Sequence, residues 1–152
     1  ESEWGGTFRL FVYRNVIDGT EHVALVAGKP GGPKPPLVRM HQLDFAADVL
    51  GHVEPRRSYV EQALKAIAAH PDGGVAVFLR DPSAQWLSRR FSGEDKSEGE
   101  ERALRDYGVG AQILLDLGVR DMIALSSSHP KPAALEGYGL RIVGWRAFDE
   151  SA

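Results

Sequence analysis

Apolar and polar residues alternate from Thr7 to Arg14 (TFRLFVYR), with Phe8, Leu10 and Val12 on one face and Arg9, Phe11 and Tyr13 on the other. A period of two predicts a strand. Asp18-Gly19 is a turn dipeptide, and His22 to Ala27 (HVALVA) is a second apolar run, so the two runs predict a hairpin. Lys29 to Pro36 (KPGGPKPP) holds four prolines in eight residues and is read as a rigid loop. Leu37 to His41 resumes as a short strand. Ser58 with Glu61 has the spacing of a capping box, and Val60, Ala63, Leu64, Ile67 and Ala68 then recur at helical spacing until Pro71 and Gly73-Gly74. Val75 to Leu79 is a continuous apolar run, as in a strand buried on both faces.

The pattern breaks at Ser92 to Arg102, where five of eleven residues are acidic and none is apolar except glycine. This segment predicts a solvated loop whose last residues start a helix. The helix continues from Leu104 to Leu117, with Gly118 as its C-cap. Met122 to Leu125 reads as a strand, Pro132 to Glu136 as a short helix, and Leu140 to Phe148 as a last strand. Strands come first, then helix and strand alternate. That order predicts an α/β fold: a mixed sheet with antiparallel N-terminal strands and helices packed on it, in one domain over residues 1–152.

Composition narrows the function classes. The chain has 152 residues and no cysteine, which excludes a disulfide framework, a thiolate metal site and a cysteine nucleophile. Its net charge of −3 lacks the basic footprint of a nucleic-acid binder. No apolar run approaches the ~18 residues of a membrane span, and no signal peptide opens the chain, so the cytoplasm is the expected compartment.

Three segments carry a resemblance. His22 to Gly28 (HVALVAG) with Pro36 to His41 (PLVRMH), Arg105 to Val119 (RDYGVGAQILLDLGV), and His129 to Lys131 with Leu135 to Val143 (LEGYGLRIV) are similar to the GTP cyclohydrolase II family. The similarity runs from His22 to Phe148, and the Arg105 segment is its most specific part. It implies that family's fold and its riboflavin-pathway chemistry, the hydrolysis of GTP with release of formate and pyrophosphate.

The departures from the family pattern fall on its chemistry. The family's three zinc-binding cysteines correspond to Asp44, Pro55 and Arg57. Proline has no side-chain donor and a guanidinium repels a metal, so the expected cofactor complement is none. The guanine-reading loop corresponds to Arg80 to Leu87 (RDPSAQWL), where little but Arg80 and Leu87 persists. The catalytic tyrosine has no counterpart, and the proton-transfer aspartate corresponds to Ala103. Of the family's site residues, Arg105 persists at a catalytic position, as a vestige. Arg39, His41, Arg80 and Lys131 persist at positions the family places around the nucleotide, where they are expected to keep an anion or nucleotide site.

The resemblance therefore implies a non-catalytic dimerisation or regulatory module. Domains of this kind are found as the C-terminal part of two-part proteins whose other half is 3,4-dihydroxy-2-butanone 4-phosphate synthase. The attached synthase and a second copy are the expected partners, and a start at Glu1 fits such a C-terminal piece. An active cyclohydrolase with a rearranged site, and a nucleotide sensor without chemistry, stay open beside it. His41, Asp44 and His52 are alternative cysteine-free metal ligands. Trp86 is a candidate to fill the vacated site or to anchor an interface, whereas Trp4 and Trp145 read as core residues. Ser126 to Ser128 beside His129 read as loop substitutions rather than a nucleophile with its base.

Overall fold

The computed structural model describes residues 1–54, 57–93, 99–127 and 133–149. Strands β1 (Arg9–Arg14) and β2 (Glu21–Ala27) form the expected hairpin. The Asn15 amide closes it on the Thr20 carbonyl at 2.8 Å, and the Asp18 carboxylate accepts from the Thr20 amide at 2.9 Å. Gly19 supplies the left-handed conformation (φ +76°) that the turn needs. Strand β3 (Leu37–Gln42) follows the proline-rich loop, and β4 (Gly74–Leu79), β5 (Asp121–Leu125) and β6 (Arg141–Arg146) complete one sheet. The order is β1-β2-β4-β3-β5-β6, antiparallel from β1 to β4 and parallel from β4 to β6. This is the mixed sheet that the order of patterns predicts.

Each face of the sheet buries one amphipathic helix. Helix α2 (Val60–Ala69) turns Ala63, Leu64 and Ile67 onto Leu37, Ala76 and Leu125. Helix α4 (Gly99–Asp116) turns Ala111, Ile113 and Leu114 onto Val38, Val77 and Met122 on the opposite face. Strand β4 lies between them and is buried on both sides, as its unbroken apolar run requires. Gly74 lets this strand approach its neighbours: a Cβ there would stand 2.5 Å from the Leu37 carbonyl oxygen and 2.8 Å from Ile67. Gly118 ends α4 with φ +86°, as its C-cap position predicts.

Several local expectations are corrected. The capping box does not form. Tyr59 is the N-cap of α2 and makes no side-chain cap bond, Ser58 Oγ only weakly accepts from the Val60 amide at 3.4 Å, and Glu61 is held by Lys65 at 2.6 Å. The helix starts one residue later than the box requires, and Glu61 forms an exposed i,i+4 ion pair instead. Two short helices carry no periodic signal: α1 (Phe45–Asp48) and α3 (Trp86–Ser92). Of the loop expected over Ser92 to Arg102, Ser92 belongs to α3, Gly93 caps that helix with φ +78°, α4 begins at Gly99, and residues 94–98 lie outside the described residues. Helix α5 (Ala133–Glu136) is the short helix expected over Pro132 to Glu136, with Pro132 outside the described residues. In β1 the alternation holds, yet Leu10 and Val12 are 62% and 57% exposed, because α2 does not reach the sheet edge.

The close approach at Gly74 generates a stability prediction. Gly74→Ala puts a methyl group against a main-chain carbonyl that can move only by disturbing the β3–β4 pairing. Urea unfolding is expected to show a loss of roughly 1–3 kcal/mol. An unchanged midpoint would contradict the packing described.

Candidate functional site

The parallel half of the sheet ends in a cavity of about 180 Å³. Such a position, beyond the carboxyl ends of parallel strands, is where open α/β sheets place ligands. Strand β3 contributes Arg39, Met40 and Gln42, α4 contributes Ala103, Asp106 and Tyr107, and Ser126 and Trp145 lie on the far side. Gly110 allows the approach of α4 to β3, because a Cβ there would overlap the Met40 methyl group. Its lining mixes apolar side chains such as Leu79 and Met122 with the polar Arg39, Gln42 and Asp106.

Asp106 is the buried charge of this cavity, at 6% exposure. Its carboxylate accepts from Gln42 Nε2 at 2.6 Å and faces Arg102 Nε at 3.9 Å. Burial pushes the carboxyl above its ordinary range, and Gln42, Arg102, Arg105 and His22 offset that only in part. Arg102 also pairs with Asp81 at 3.1 Å. Arg39 stacks over the Phe148 ring at 5.0 Å and donates to the Leu125 carbonyl at 3.4 Å. Burial raises the Tyr107 phenol, and the positive charge of Arg39 acts against that rise.

The site residues expected from sequence fall in three places. Arg39 lines the cavity. His41 is 2% exposed beneath it, with Nε2 2.7 Å from Asp48 Oδ2 and its ring edge-on to Phe78. Burial opposes the Asp48 charge, but bonds from His41, the Asp44 amide and Ser58 together outweigh it and hold the carboxyl below its usual range. Arg80 and Arg105 are exposed and gather around His22 instead. The Arg80 amide donates to His22 Nδ1 at 3.1 Å, which leaves the His22 proton on Nε2. Arg105 lines a separate groove with Asp18 and His22, between the β1–β2 turn and α4. Lys131 lies outside the described residues, as do Ser128 and His129.

The resemblance sets Asp44, Pro55 and Arg57 against the family's zinc ligands. Asp44 is the N-cap of α1: Oδ2 accepts from the Ala47 amide at 3.3 Å, and Oδ1 accepts from Arg90 Nε on α3 at 2.7 Å. Its carboxylate is therefore held between a helix terminus and a guanidinium. Arg57 is exposed and cationic, and Pro55 lies outside the described residues. These residues do not fit a zinc ion. The alternative trio does not assemble either, because His41 Nε2 is engaged by Asp48 and His52 is exposed. Among the described residues, no three His, Cys, Asp or Glu side chains form a group that could hold a metal.

Trp86 does not fill the cavity. It packs edge-on against Phe45 of α1, with ring centroids 6.1 Å apart, and Trp145 lines the cavity in its place. Trp4 packs in the core under α2, as expected. Gln42, Asp48, Arg90 and Asp106 escaped the sequence reading. Asp106 stands inside the RDYGVG run, where its neighbour Arg105 took the attention. Asp48 lies one helical turn after Asp44, a spacing visible only once α1 is known.

The raised carboxyl of Asp106 has a consequence with a definite sign. The unfolded group titrates near its ordinary value of about 3.9 and the folded group higher. The folded chain therefore binds the extra proton in that window and loses stability as pH rises through it. Asp106→Asn keeps an acceptor for Gln42 and removes the buried charge. We expect a higher melting temperature than the parent's at about pH 7, with the gap closing towards about pH 4. A lower melting temperature at neutral pH would show that the charge is stabilising.

Comparison with known proteins agrees with this architecture. The sequence profile of the family described as GTP cyclohydrolase II matches residues 1–147. The chain is 40% identical to a riboflavin biosynthesis protein RibBA of Synechocystis sp., over 91% of this chain and 28% of that protein. It is 41% identical to the RibBA protein of Bacillus subtilis, over 90% of this chain and 38% of that protein. It is 35% identical to the monofunctional riboflavin biosynthesis protein RIBA 2, chloroplastic, of Arabidopsis thaliana, over 91% of this chain and 30% of that protein. The chain thus spans about a third of the length of these relatives. With the fold, the profile match and these identities in agreement, the chain belongs to the GTP cyclohydrolase II family.

Proposed function

We propose that this chain is a GTP cyclohydrolase II-type domain of riboflavin biosynthesis that has given up the metal-dependent hydrolysis of GTP. It serves as a non-catalytic dimerisation or regulatory module for an attached 3,4-dihydroxy-2-butanone 4-phosphate synthase. The observation that carries this reading is the Asp44–Arg90 ion pair at 2.7 Å. The one zinc position that retains an anionic side chain is spent on a helix cap and a guanidinium, and Arg57 adds a cation where a ligand is needed. Ala103 supports the same reading, because it lines the cavity at the proton-transfer position and has no proton to exchange. The relatives named RibBA, and the one described as monofunctional, make a truncated repertoire of activities reasonable within this family.

A second reading, a nucleotide sensor, is favoured by the cavity itself. It remains open at about 180 Å³ with Arg39 at its side. A silent site retained only for packing has no need of that space.

The test uses the purified chain supplied with Zn²⁺ and GTP. Metal analysis after desalting is expected to give far less than one zinc per chain, and formate release is expected to be at least ~10⁴-fold slower than for a zinc-bearing family member. Stoichiometric zinc with sustained formate release would overturn the proposal and make the domain an active cyclohydrolase. A rise in melting temperature on adding GTP without formate release would select the sensor. The module role is read separately, by comparing the turnover and assembly of the synthase with and without this domain. Identical values would remove that role.

A further inference from the structure

Among the described residues the fold buries two histidines, against partners of opposite kind. His41 places Nε2 on an acceptor, the Asp48 carboxylate, at 2.7 Å. His22, at 4% exposure, places Nδ1 on a donor, the Arg80 main-chain amide, at 3.1 Å. A neutral imidazole accepts at one nitrogen, whereas an imidazolium has an N–H at both and accepts at neither. The bond from Arg80 to His22 therefore exists in one protonation state alone.

That bond stands at a corner of the chain. The β2–β4 ladder ends at the Val23–Phe78 pair, and the His22 side chain secures the main chain two residues beyond Phe78. Asp81 follows at once. It accepts from the Ser83 amide at 2.9 Å and pairs with Arg102 of α4 at 3.1 Å. Residues 80–85 then lead into α3, whose Arg90 holds Asp44. His22 from β2 and Arg102 from α4 thus fix the corner from two sides, and only the first of them titrates near neutral pH.

The charges around His22 come from several elements. Asp106 of α4 and Asp18 of the hairpin turn attract a cation there, and Arg80 opposes one. Arg14 and Arg105 line the groove beside the ring, as does Asp116, which accepts from the Tyr13 hydroxyl at 2.7 Å. Tyr13 faces His22 across the hairpin. Burial outweighs the two carboxylates and, with Arg80 acting in the same direction, holds the imidazole below its ordinary range. An opened or unfolded chain takes the proton first, so the closed corner loses stability as pH falls below about 6.5.

We propose that His22 is a proton-operated latch: its neutral ring holds the corner at Arg80 closed, and protonation at Nδ1 releases that corner and loosens the segment between β4 and α3. The protonated ring sets an N–H against the Arg80 N–H. Turning the ring over brings no relief, because Nε2 carries a proton as well. The corner is the part that yields, since Arg80 is exposed and His22 is not. Its departure admits water to the imidazolium, which the closed corner denies it. The Asp81–Arg102 pair stands on the same corner and opens with it. The latch requires neither the loss of zinc chemistry nor the module role, so a titration of His22 and a formate assay fail independently.

The test is heteronuclear NMR of the whole chain between about pH 7.5 and about pH 4.5, a range that spans the ordinary histidine value. At the upper end the His22 ring is expected to show a bare Nδ1. As the ring takes its proton, the Arg80 amide is expected to lose at least about tenfold of its protection against hydrogen exchange, relative to an unstructured peptide at the same pH. The Ala76 amide, within β4, is expected to keep its protection through the same titration. His22→Asn leaves an acceptor at the δ position and no proton to gain, and in it the Arg80 protection is expected to change less than about twofold. A ring that stays neutral throughout, an Arg80 amide equally protected before and after the titration, or a loss shared equally by Ala76 would overturn the latch. So would a loss in His22→Asn as large as the parent's. If that variant does not fold, the titration of the parent decides alone.

Discussion

A carboxylate has two oxygens, and those of Asp44 are both in use. One holds the Arg90 guanidinium and the other caps α1. This single allocation joins α1 to α3 across the end of the sheet, and the edge-on contact of Phe45 with Trp86 reinforces it. An ion pair whose side chains are 29% and 14% exposed is a modest source of stability by itself. In the proposed reading its importance is exclusion: the Arg90 guanidinium holds a carboxylate oxygen that a divalent ion would need. Helices α1 and α3, which the family resemblance sets beside its metal-binding and guanine-reading segments, are tied together by an ion pair and an aromatic contact.

The scaffold behind that clasp is conventional. Two helices cover the two faces of a mixed sheet, and the parallel strands deliver Arg39, Gln42 and Ser126 to one end. The cavity retains a buried acid, Asp106, whose charge the fold tolerates with the help of Gln42 and Arg102. The other persistent cations serve a different neighbourhood. Arg80 and Arg105 lie around His22 on the hairpin side, so the cations that sequence similarity groups together are divided between two surfaces. The division follows from the strands that carry them. Arg39 sits within β3, whereas Arg80 follows β4, whose neighbour on that side is β2.

Much of this was legible in the chain. The apolar run of β4, the helical spacing in α2 and α4, and the Asp18-Gly19 turn each state their own structure, because local propensity and burial agree there. The short helices α1 and α3 were not legible. Four and seven residues are too few to display a period, and what holds them is the tertiary pair Asp44–Arg90, separated by 46 positions. The capping box failed because α2 starts one residue later, with Tyr59 as its N-cap, and the Ser58 side chain bonds Asp48. The exposure of Leu10 and Val12 could not be read from their alternation, since a strand pattern gives the two faces and not which of them a helix covers. At the site, the expectation of lost donors at Pro55, Arg57 and Ala103 comes from residue type alone, whereas the engagement of Asp44 by Arg90 required the fold.

The account stands on where the Asp44 carboxylate is directed when a divalent ion is offered. Crystals grown with excess Zn²⁺ and measured at the zinc absorption edge address this directly. The account predicts the Arg90 guanidinium on Asp44 and no anomalous peak within coordinating distance of that carboxylate. A full-occupancy zinc bound by Asp44, with Arg90 displaced, would contradict it.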